Sequence, residues 1–348
     1  MNDQIRQAVL QLKAGHLVAI PTETVYGLAA DANNSEAVKK IFATKGRPSG
    51  HPLIVHVAMP NPSSGSESNW GAVLGQWSRD VSPEALVLAE KFWPGPLTMI
   101  LPKAKNVLNE VTGGHETVGI RCPSHPLAQH LLNEFGGGLA APSANRFGRI
   151  SPTTAEHVKD EFPDSDLLIL DGGPCAVGIE STIVDLTRLD REGAVVLRLG
   201  AISRDQIHAA LSHINSQRHL SSAQSSSDQP RVSGSLSAHY APRTKMLLYP
   251  SHGLNQSSQG FQLDLKNFSK IAWVHFSGET INPAVQQKIV EEFLIPNNPT
   301  KLAKELYALL RKLDKLSVDL ILFESLPNDS SWDAVRDRLG RASVGSGI

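Results

Sequence analysis

Basic and polar side chains are concentrated in several loops, at the ends of stretches that read as strands or helices. In open α/β sheets, ligands bind in the loops beyond the strand ends. The side chains concerned are Thr24, Lys45, Arg47, Ser143, Asn145 and Ser151. Together they supply hydrogen-bond donors and positive charge but no acid–base pair. Such a set suits a polyanion, for example a nucleoside triphosphate.

Several residues of this kind also have a plain structural explanation. Lys45 and Arg47 flank a glycine at the end of a helical pattern, where solvated cations complement the helix dipole. Ser143 and Asn145 would be turn formers that bond their own backbone. Arg121, at the end of an apolar stretch, would pair with any nearby carboxylate. From residue chemistry alone, the sequence predicts an anion-binding α/β protein, with an enzyme as the favoured class.

The signatures of several other sites are missing. The sequence has no G-x-x-x-x-G-K-[ST], no G-x-G-x-x-G, no H-E-x-x-H and no G-x-S-x-G. Its 13 histidines include no pair with convincing metal-ligand spacing. The two cysteines, Cys122 and Cys175, cannot form a disulfide framework or a four-cysteine zinc site. We therefore expect buried, apolar cysteines and no metal ligands from protein side chains.

The composition is that of an ordinary globular protein. The 348 residues are 41% hydrophobic and 19% charged, which leaves room for two domains. A formal net charge of −1 argues against a protein that coats nucleic acid through bulk positive charge. The N-terminal residues lack the pattern of a secretion signal, and no apolar run approaches the ~20 residues of a membrane helix. We expect a cytoplasmic protein that does not associate with membranes.

Helices and short strands alternate over about the first 210 residues. Apolar residues at helical spacing precede Gly15, and Asn34 or Ser35 can cap a helix that ends at Gly46. A further helix opens at Ser82. The expected strands are 17–20, 52–57, 97–101, 117–121, 139–141, 167–171, 181–187 and 194–199. The last two read as a hairpin, so the sheet is expected to be mixed.

Two polar, serine-rich segments interrupt this pattern. Residues 59–71 read as a surface loop, and residues 212–235 read as a linker that is too polar to bury a core. Beyond the linker, strands are expected at 246–249, 271–276 and 320–323, and helices at 302–313 and 332–342. We therefore expect a domain over 1–210, a linker over 211–243 and a second α/β domain over 244–348.

Six motifs occur in an order that identifies a family resemblance. They are Pro21-Thr-Glu-Thr-Val-Tyr-Gly-Leu28, Lys45-x-Arg47-Pro48, Pro52-Leu-Ile-Val-His56, Pro142-Ser-Ala-Asn145, Ser151-Pro-Thr153 and Glu180-Ser-Thr-Ile-Val-Asp185. The linker then ends in His239-Tyr-Ala-Pro242. With these motifs the whole chain resembles the YrdC-like family, and specifically the long form of the L-threonylcarbamoyladenylate synthases.

The resemblance implies a fold and a reaction. The fold is a twisted open mixed sheet with flanking helices around a positive concavity, followed by a smaller, Rossmann-like α/β domain. The enzyme would be a nucleotidyltransferase that converts L-threonine, bicarbonate and ATP, with Mg²⁺, into threonylcarbamoyl-AMP, pyrophosphate and water. Its product would feed the modification of an adenosine in tRNA through downstream threonylcarbamoyl-transfer proteins. Weak RNA binding is a further implied contact.

The resemblance also implies roles for individual residues. The reacting centre and the triphosphate would be held by Lys45, Arg47, Ser143 and Asn145. Further nucleotide contacts would come from His51, Thr117, Ser151, Arg198 and Tyr240. The threonine pocket would be built from Thr24, His56, Arg121 and Ser181. Arg121 suits the amino-acid carboxylate because a guanidinium can bind it bidentately. We expect the side chains of Lys45 and Arg47 to be accessible to solvent, and Tyr240 to close over the nucleotide.

Two features depart from the family resemblance, and two alternative functions stay open. Phe147 stands where the resemblance implies a serine, and the loop over 59–71 is longer than implied. One alternative is a carbamoyl-transfer module, but such proteins also carry acylphosphatase and zinc-finger parts, and two distant cysteines cannot supply the latter. The other is a module that binds double-stranded RNA, which the near-neutral charge and 5% aromatic residues disfavour.

Overall fold

The computed structural model describes residues 3–60, 69–214, 221–222, 230, 232, 234, 236–250, 265, 267–276 and 283–347. Most of the serine-rich linker and residues 61–68 of the long loop therefore lie outside the described residues. The chain divides into two compact units. The first is Met1–Phe147 with Ser151–Ser235, and the second is Gly148–Ile150 with Leu236–Ile348.

The first unit is built on a ten-stranded mixed sheet. Its strands are β1 Val18–Ile20, β2 Gly27–Asp31, β3 Ile54–His56, β4 Leu97–Pro102, β5 Thr117–Arg121, β6 Leu139–Ala140, β7 Leu168–Ile169, β8 Thr182–Asp185, β9 Val195–Arg198 and β10 Ser221–Ser222. They are ordered β10-β9-β8-β4-β5-β3-β6-β2-β1-β7. The pairs β3·β5 and β4·β8 are parallel, whereas β4·β5 and β8·β9 are antiparallel. The expected mixed sheet is confirmed.

Two strands of this sheet, β2 and β10, escaped the sequence analysis, and β10 lies in the segment that was expected to be a linker. β2 has the sequence Gly-Leu-Ala-Ala-Asp, which lacks the β-branched and aromatic residues that favour strands. It forms because it pairs antiparallel with β1 on one side and with β6 on the other. The tertiary pairing outweighs the local preference.

Helices pack on both faces of this sheet. They are α1 Asp3–Lys13, α2 Ser35–Lys45, α3 Trp70–Gly75, α4 Pro83–Phe92, α5 Asn109–Thr112, α6 Pro126–Phe135, α7 Ala155–Glu161, α8 Leu189–Glu192 and α9 Arg204–Leu211. Successive residues of β1 enter different cores, since Val18 and Ile20 lie in one apolar cluster and Ala19 in the other. This alternation is the two-residue period of a strand covered on both sides.

The boundaries of α2 determine where a key lysine lies. The Asn34 side chain accepts a hydrogen bond from the main-chain N–H of Ala37, which caps the N-terminus. Gly46 closes the C-terminus in the left-handed conformation, at φ 62°. Lys45 is therefore the last helical residue, and its side chain leaves the helix at the loop that the sequence marked as a site.

The second unit is a four-stranded parallel sheet with helices, as expected for a Rossmann-like domain. Its strands are β11 Lys245–Tyr249, β12 Ile271–His275, β13 Ile289–Leu294 and β14 Leu320–Glu324, in the order β11-β14-β12-β13. Its helices are α10 Pro283–Gln286, α11 Pro299–Asp314 and α12 Asp333–Gly345, with a 3-10 turn at Ser330–Trp332. The sequence analysis missed β13. Within the described residues of both units, no helix is long and apolar enough to cross a membrane.

Candidate active site

Backbone hydrogen bonds bring the loop after β1 against two segments more than 100 residues away. The main-chain N–H of Ala144 donates to the carbonyl of Tyr26 at 2.8 Å, and that of Tyr26 donates to the carbonyl of Pro152 at 2.8 Å. Gly27 also forms an isolated antiparallel bridge with Ser143. Thr24, Ser143, Asn145 and Ser151 are consequently carried on segments that are bonded to one another.

Lys45 is fixed to the loop that carries Ser143 and Asn145. Its Nζ donates to the main-chain carbonyl of Ser143 at 2.6 Å and to that of Asn145 at 2.5 Å. Its own carbonyl accepts from the N–H of Phe147 at 2.8 Å. An ammonium has three N–H donors, so one remains for a ligand. The structure thus joins three of the four residues assigned to the reacting centre.

The expectation that Lys45 and Arg47 are accessible to solvent is wrong. The two residues are only 3% and 6% exposed. Burial lowers the pKa of Lys45 well below its usual value, and the neighbouring charge of Arg47 lowers it further. A polyanion in this site would raise that pKa again, since it favours the charged ammonium.

Arg47, His51 and Phe147 form a second cluster at the same loop. Arg47 Nη2 donates to the carbonyl of Pro52 at 3.0 Å. Its guanidinium lies 5.9 Å from the centroid of the Phe147 ring, and the His51 ring meets the same ring edge-on at 5.4 Å. Phe147 thus contacts two residues that were assigned to the nucleotide, although the resemblance implied a serine there.

Arg121 is held by a carboxylate that the sequence analysis did not assign. Its Nη2 donates to Glu23 Oε1 at 2.7 Å, and Glu23 Oε2 accepts from the N–H of Ser124 at 3.0 Å. Both side chains are buried. Arg121 Nε is also buried and has no hydrogen-bond partner among the described residues. The alternative of a carboxylate partner is therefore correct, and it leaves donors of the same guanidinium available to a second anion.

The donor and the acceptor can be assigned in the hydrogen bonds of the Thr22 and Thr24 hydroxyl groups. Thr22 Oγ1 lies 2.6 Å from the carbonyl of Val25, so it must donate its only proton there. Thr24 must then be the donor in the 2.9 Å contact between the two hydroxyls. Thr24 consequently offers only lone pairs to a ligand, and it suits an ammonium or hydroxyl donor of an amino acid.

His56 lies beside Arg121, because β3 and β5 pair these two residues in register. Burial lowers the pKa of His56 to about 3, and the charge of Arg121 adds to this effect. Its Nδ1 lies 3.2 Å from the carbonyl of Ile54, which can only accept, so this nitrogen carries the proton. The imidazole is therefore neutral at physiological pH.

The last two strands supply Ser181 and Arg198. Arg198 Nε donates to the carbonyl of Ser181 and its Nη2 donates to Ser181 Oγ, both at 3.0 Å. Ser181 Oγ also lies 2.7 Å from Thr98 Oγ1. The structure thus pairs a residue assigned to the threonine pocket with one assigned to the nucleotide.

Ser151 is buried and its hydroxyl is committed to a carboxylate. It donates to Glu180 Oε1 at 2.6 Å. A serine has one proton to donate, so Ser151 in this state can only accept from a ligand. A ribose hydroxyl or a base amino group fits that role, whereas a phosphate oxygen does not.

Thr117 lines an apolar hollow in the first unit. Its other walls include Ile54, Ile100, Gly119 and Ile183. Val232, one of the few described residues of the linker region, is buried there against Ile100 and Ile183. Thr117 is thus partly buried against apolar side chains of the neighbouring strands.

Tyr240 belongs to the second unit. It is buried, with φ 61°, and stacks on Tyr307 at 5.6 Å between ring centroids. The guanidinium of Arg338 lies 5.3 Å from its centroid. The closure of Tyr240 over the nucleotide stays a prediction.

Sequence reasoning quoted Glu23, Glu180 and Phe147 but gave none of the three a role in binding. Glu23 lies between two threonines of its motif, and Glu180 directly precedes Ser181. A carboxylate inside a donor-rich motif is the signal that could have revealed both. The two cysteines are buried as expected, and burial raises the pKa of each thiol to about 12, which disfavours the reactive thiolate.

Comparison with known proteins identifies the relatives of this chain. A family model described as "Telomere recombination", for Sua5, YciO and YrdC proteins, matches residues 10–200. A second, described as "Threonylcarbamoyl-AMP synthase, C-terminal domain", matches residues 202–344. The chain is 35% identical to a threonylcarbamoyl-AMP synthase of Pyrococcus abyssi, over 98% of this chain and 94% of that one. It is 37% identical to that of Bacillus subtilis, over 98% and 93%.

A solved structure of a related protein matches nearly the whole chain. P. abyssi Sua5 complexed with L-threonine aligns with a TM-score of 0.80 at 34% identity, covering 98% of this chain and 94% of that one. The match includes both the mixed sheet and the parallel sheet. The chain belongs to the Sua5/YciO/YrdC family.

Proposed function

We propose that the protein is an L-threonylcarbamoyladenylate synthase, a nucleotidyltransferase that uses L-threonine, bicarbonate and ATP. Its products are threonylcarbamoyl-AMP, pyrophosphate and water. Full-length relatives carry the name threonylcarbamoyl-AMP synthase, and one solved relative binds L-threonine. These relatives cover both units of the chain.

The observation that carries this proposal is the coexistence of two different cationic sites in one unit. Lys45 is buried against neutral carbonyl groups, beside Arg47. Arg121 is buried against one carboxylate and keeps a buried Nε without a described partner. The first arrangement suits a polyanion such as a triphosphate, and the second suits a single carboxylate.

Formation of the carbamate is the first step. The threonine nitrogen, as the free amine, attacks the bicarbonate carbon, a C–N bond forms and water leaves. Arg121 would bind the threonine carboxylate, and Thr24 would accept a hydrogen bond from the amine or the hydroxyl. The neutral His56 adds no further positive charge beside Arg121. The residues act here by positioning the two reactants.

Adenylation is the second step. A carbamate oxygen attacks the α-phosphorus of ATP, the bond to the β-phosphate oxygen breaks, and pyrophosphate leaves. The third N–H of Lys45 and the guanidinium of Arg47 would stabilise the negative charge that develops on the phosphates. Ser143 and Asn145 are held beside Lys45, and Ser151 and Thr117 would contact the nucleoside.

The residues assigned to the phosphates are cations, hydroxyls and an amide, so they fit the phosphates better than a metal ion. Among the described residues, no group of three or more His, Cys, Asp or Glu could hold a metal. We therefore propose that Mg²⁺ enters with ATP as part of the substrate. In this proposal the reaction takes place in the cytoplasm, and a tRNA-modifying transfer step consumes the activated threonylcarbamoyl group.

Pyrophosphate release by the purified protein tests the proposal. The assay contains ATP and Mg²⁺, with threonine and bicarbonate omitted in turn, and the product is identified by mass spectrometry. We expect release that requires both, together with the mass of threonylcarbamoyl-AMP. If ATP is cleaved without threonine, or if no pyrophosphate forms under any combination, the proposed reaction is wrong. Salt-sensitive RNA binding would then be measured as the remaining alternative.

A further inference from the structure

A three-residue segment of the active-site loop belongs to the second unit. Gly148–Ile150 clusters with Leu236–Ile348, although it follows Asn145 by three residues and directly precedes Ser151. Its contacts within that unit are specific. The carbonyl of Gly148 accepts from the N–H of Ala241 at 3.0 Å, and Arg149 forms a parallel bridge with Ala241.

The last turn of α11 binds this segment through two charged side chains. Arg149 Nη2 donates to Asp314 Oδ2 at 3.0 Å, and both side chains are largely buried. Arg311, on the same turn, donates through its Nη2 to the carbonyl of Ile150. Ile150 itself is buried. The segment is therefore held by a side chain, by its backbone and by burial.

Asp314 also binds the chain that enters β11. Its Oδ1 accepts from the N–H of Arg243 at 2.7 Å, from the N–H of Thr244 at 2.7 Å and from Thr244 Oγ1 at 3.0 Å. One carboxylate thus joins two chain segments that are far apart in sequence. Charge-assisted hydrogen bonds of this kind are about twice as strong as neutral ones.

We propose that Asp314 is a positioning residue for the reaction: by fixing Arg149, it sets the conformation of the loop that carries Asn145 and Ser151. The catalytic contribution of the second unit is then to hold a loop of the active site. The kinetic part of this inference rests on the proposed function, whereas its structural part does not. A misplacement of about 1 Å in a catalytic group can cost about 100-fold in rate, so such an anchor has a large effect on turnover.

A matched control exists in the same unit. Asp319 Oδ2 accepts from the N–H and Oγ of Ser269 and from the N–H of Lys270, at 2.7–3.0 Å. Asp319→Ala therefore removes a comparable set of carboxylate hydrogen bonds. It removes none that reaches residues 148–150.

The experiment compares Asp314→Ala, Arg149→Met and Asp319→Ala in the full-length protein. Hydrogen–deuterium exchange is followed in peptides that cover residues 143–151, where the N–H of Phe147 bonds the carbonyl of Lys45 and that of Ala144 bonds Tyr26. We expect exchange in these peptides to rise about tenfold in the first two variants and to stay unchanged in Asp319→Ala. This readout needs no activity, so it remains valid if the proposed reaction is wrong.

Kinetics provide the second readout. We expect Asp314→Ala and Arg149→Met to lower kcat by about 10- to 100-fold, with little change in KM for threonine, and Arg149→Lys to restore part of the activity. Asp319→Ala should keep kcat within about twofold at a similar loss of thermal stability. The proposal is overturned if residues 143–151 stay protected in both loop variants, or if the Asp319 variant loses protection and kcat to the same extent. If Asp314→Ala fails to fold, Arg149→Met decides, because it removes the ion pair and leaves the hydrogen bonds from Arg243 and Thr244 to Asp314 in place.

Discussion

Two buried cations of the first unit, Lys45 and Arg121, have different kinds of hydrogen-bond partner. Lys45 donates to the carbonyl groups of Ser143 and Asn145, whereas Arg121 donates to the carboxylate of Glu23. Carbonyl dipoles stabilise an ammonium without cancelling its charge, and a carboxylate cancels it. The first cation therefore keeps its attraction for a polyanion, and the second acts mainly through the direction of its remaining donors.

The largest expected effect is on the lysine side of this comparison. Lys45→Met should lower kcat by about 100- to 1,000-fold, because it removes a donor and a charge at the expected phosphates. Steady-state pyrophosphate release measures this. Lys39→Met is the control, since Lys39 lies on the same helix but is exposed and pairs only with Glu36 among its described contacts. A Lys45→Met enzyme with normal kcat would contradict the assigned role.

Disturbing the ion pair of Arg121 should weaken substrate binding more than it lowers turnover. Glu23→Gln removes the charge that fixes Arg121, so KM for threonine should rise about tenfold while KM for ATP changes less than about twofold. Glu116→Gln is the matched control, because Glu116 is an exposed carboxylate that pairs with Arg79 and Lys103. Equal changes in both KM values would indicate general loosening and would refute a threonine-specific role.

His56 tests the electrostatics beside Arg121 through pH. Its folded pKa of about 3 lies below the usual 6.5, so the unfolded chain binds a proton that the folded chain does not. The wild type should therefore lose stability as pH falls from 6.5 toward 3, by about 1.4 kcal/mol per pH unit from this group. When the pH is lowered from 7.5 to 5.5, the free energy of unfolding measured in urea should fall less for His56→Gln than for the wild type. Parallel pH curves for the two proteins would show that His56 is not held neutral.

The smallest effect is expected at the aromatic residue on the nucleotide side. Phe147→Ser removes the ring that contacts Arg47 and His51, and KM for ATP should rise about threefold, which corresponds to the lower end of the range for a cation–π contact. Phe147→Tyr keeps the ring and should keep KM. Titration with ATP measures both, and an unchanged KM in the serine variant would assign the ring a purely structural contact.

Much of the fold could be predicted because its signals are local. Asn34 and Gly46 mark the ends of α2, and the apolar stretches at 97–101 and 117–121 coincide with β4 and β5. Among the missed elements, the strands β2 and β13 are determined by pairing with neighbouring strands. Gly27–Asp31 lacks strand-forming residues, and β13 is an edge strand with exposed Glu291 and Glu292.

The sequence by itself determined the type of chemistry. The motifs around Thr24, Lys45, Ser143 and Ser181 identify the family, and their side chains limit the ligand to an anion-rich one. Caps, glycines and apolar periodicity act over a few residues, so they can be read directly from the chain.

Only the tertiary structure decided which groups meet and how deeply they are buried. Lys45 donates a hydrogen bond to the carbonyl of Asn145, which is 100 positions away in the sequence, and Arg121 donates to Glu23, which is 98 positions away. The same holds for Gly148–Ile150, which the chain order places in the first unit and the contacts of Asp314 and Arg311 place in the second. Such pairs depend on strand register and on the packing of distant segments. Desolvation, which lowers the pKa values of Lys45 and His56, exists only once that packing is complete.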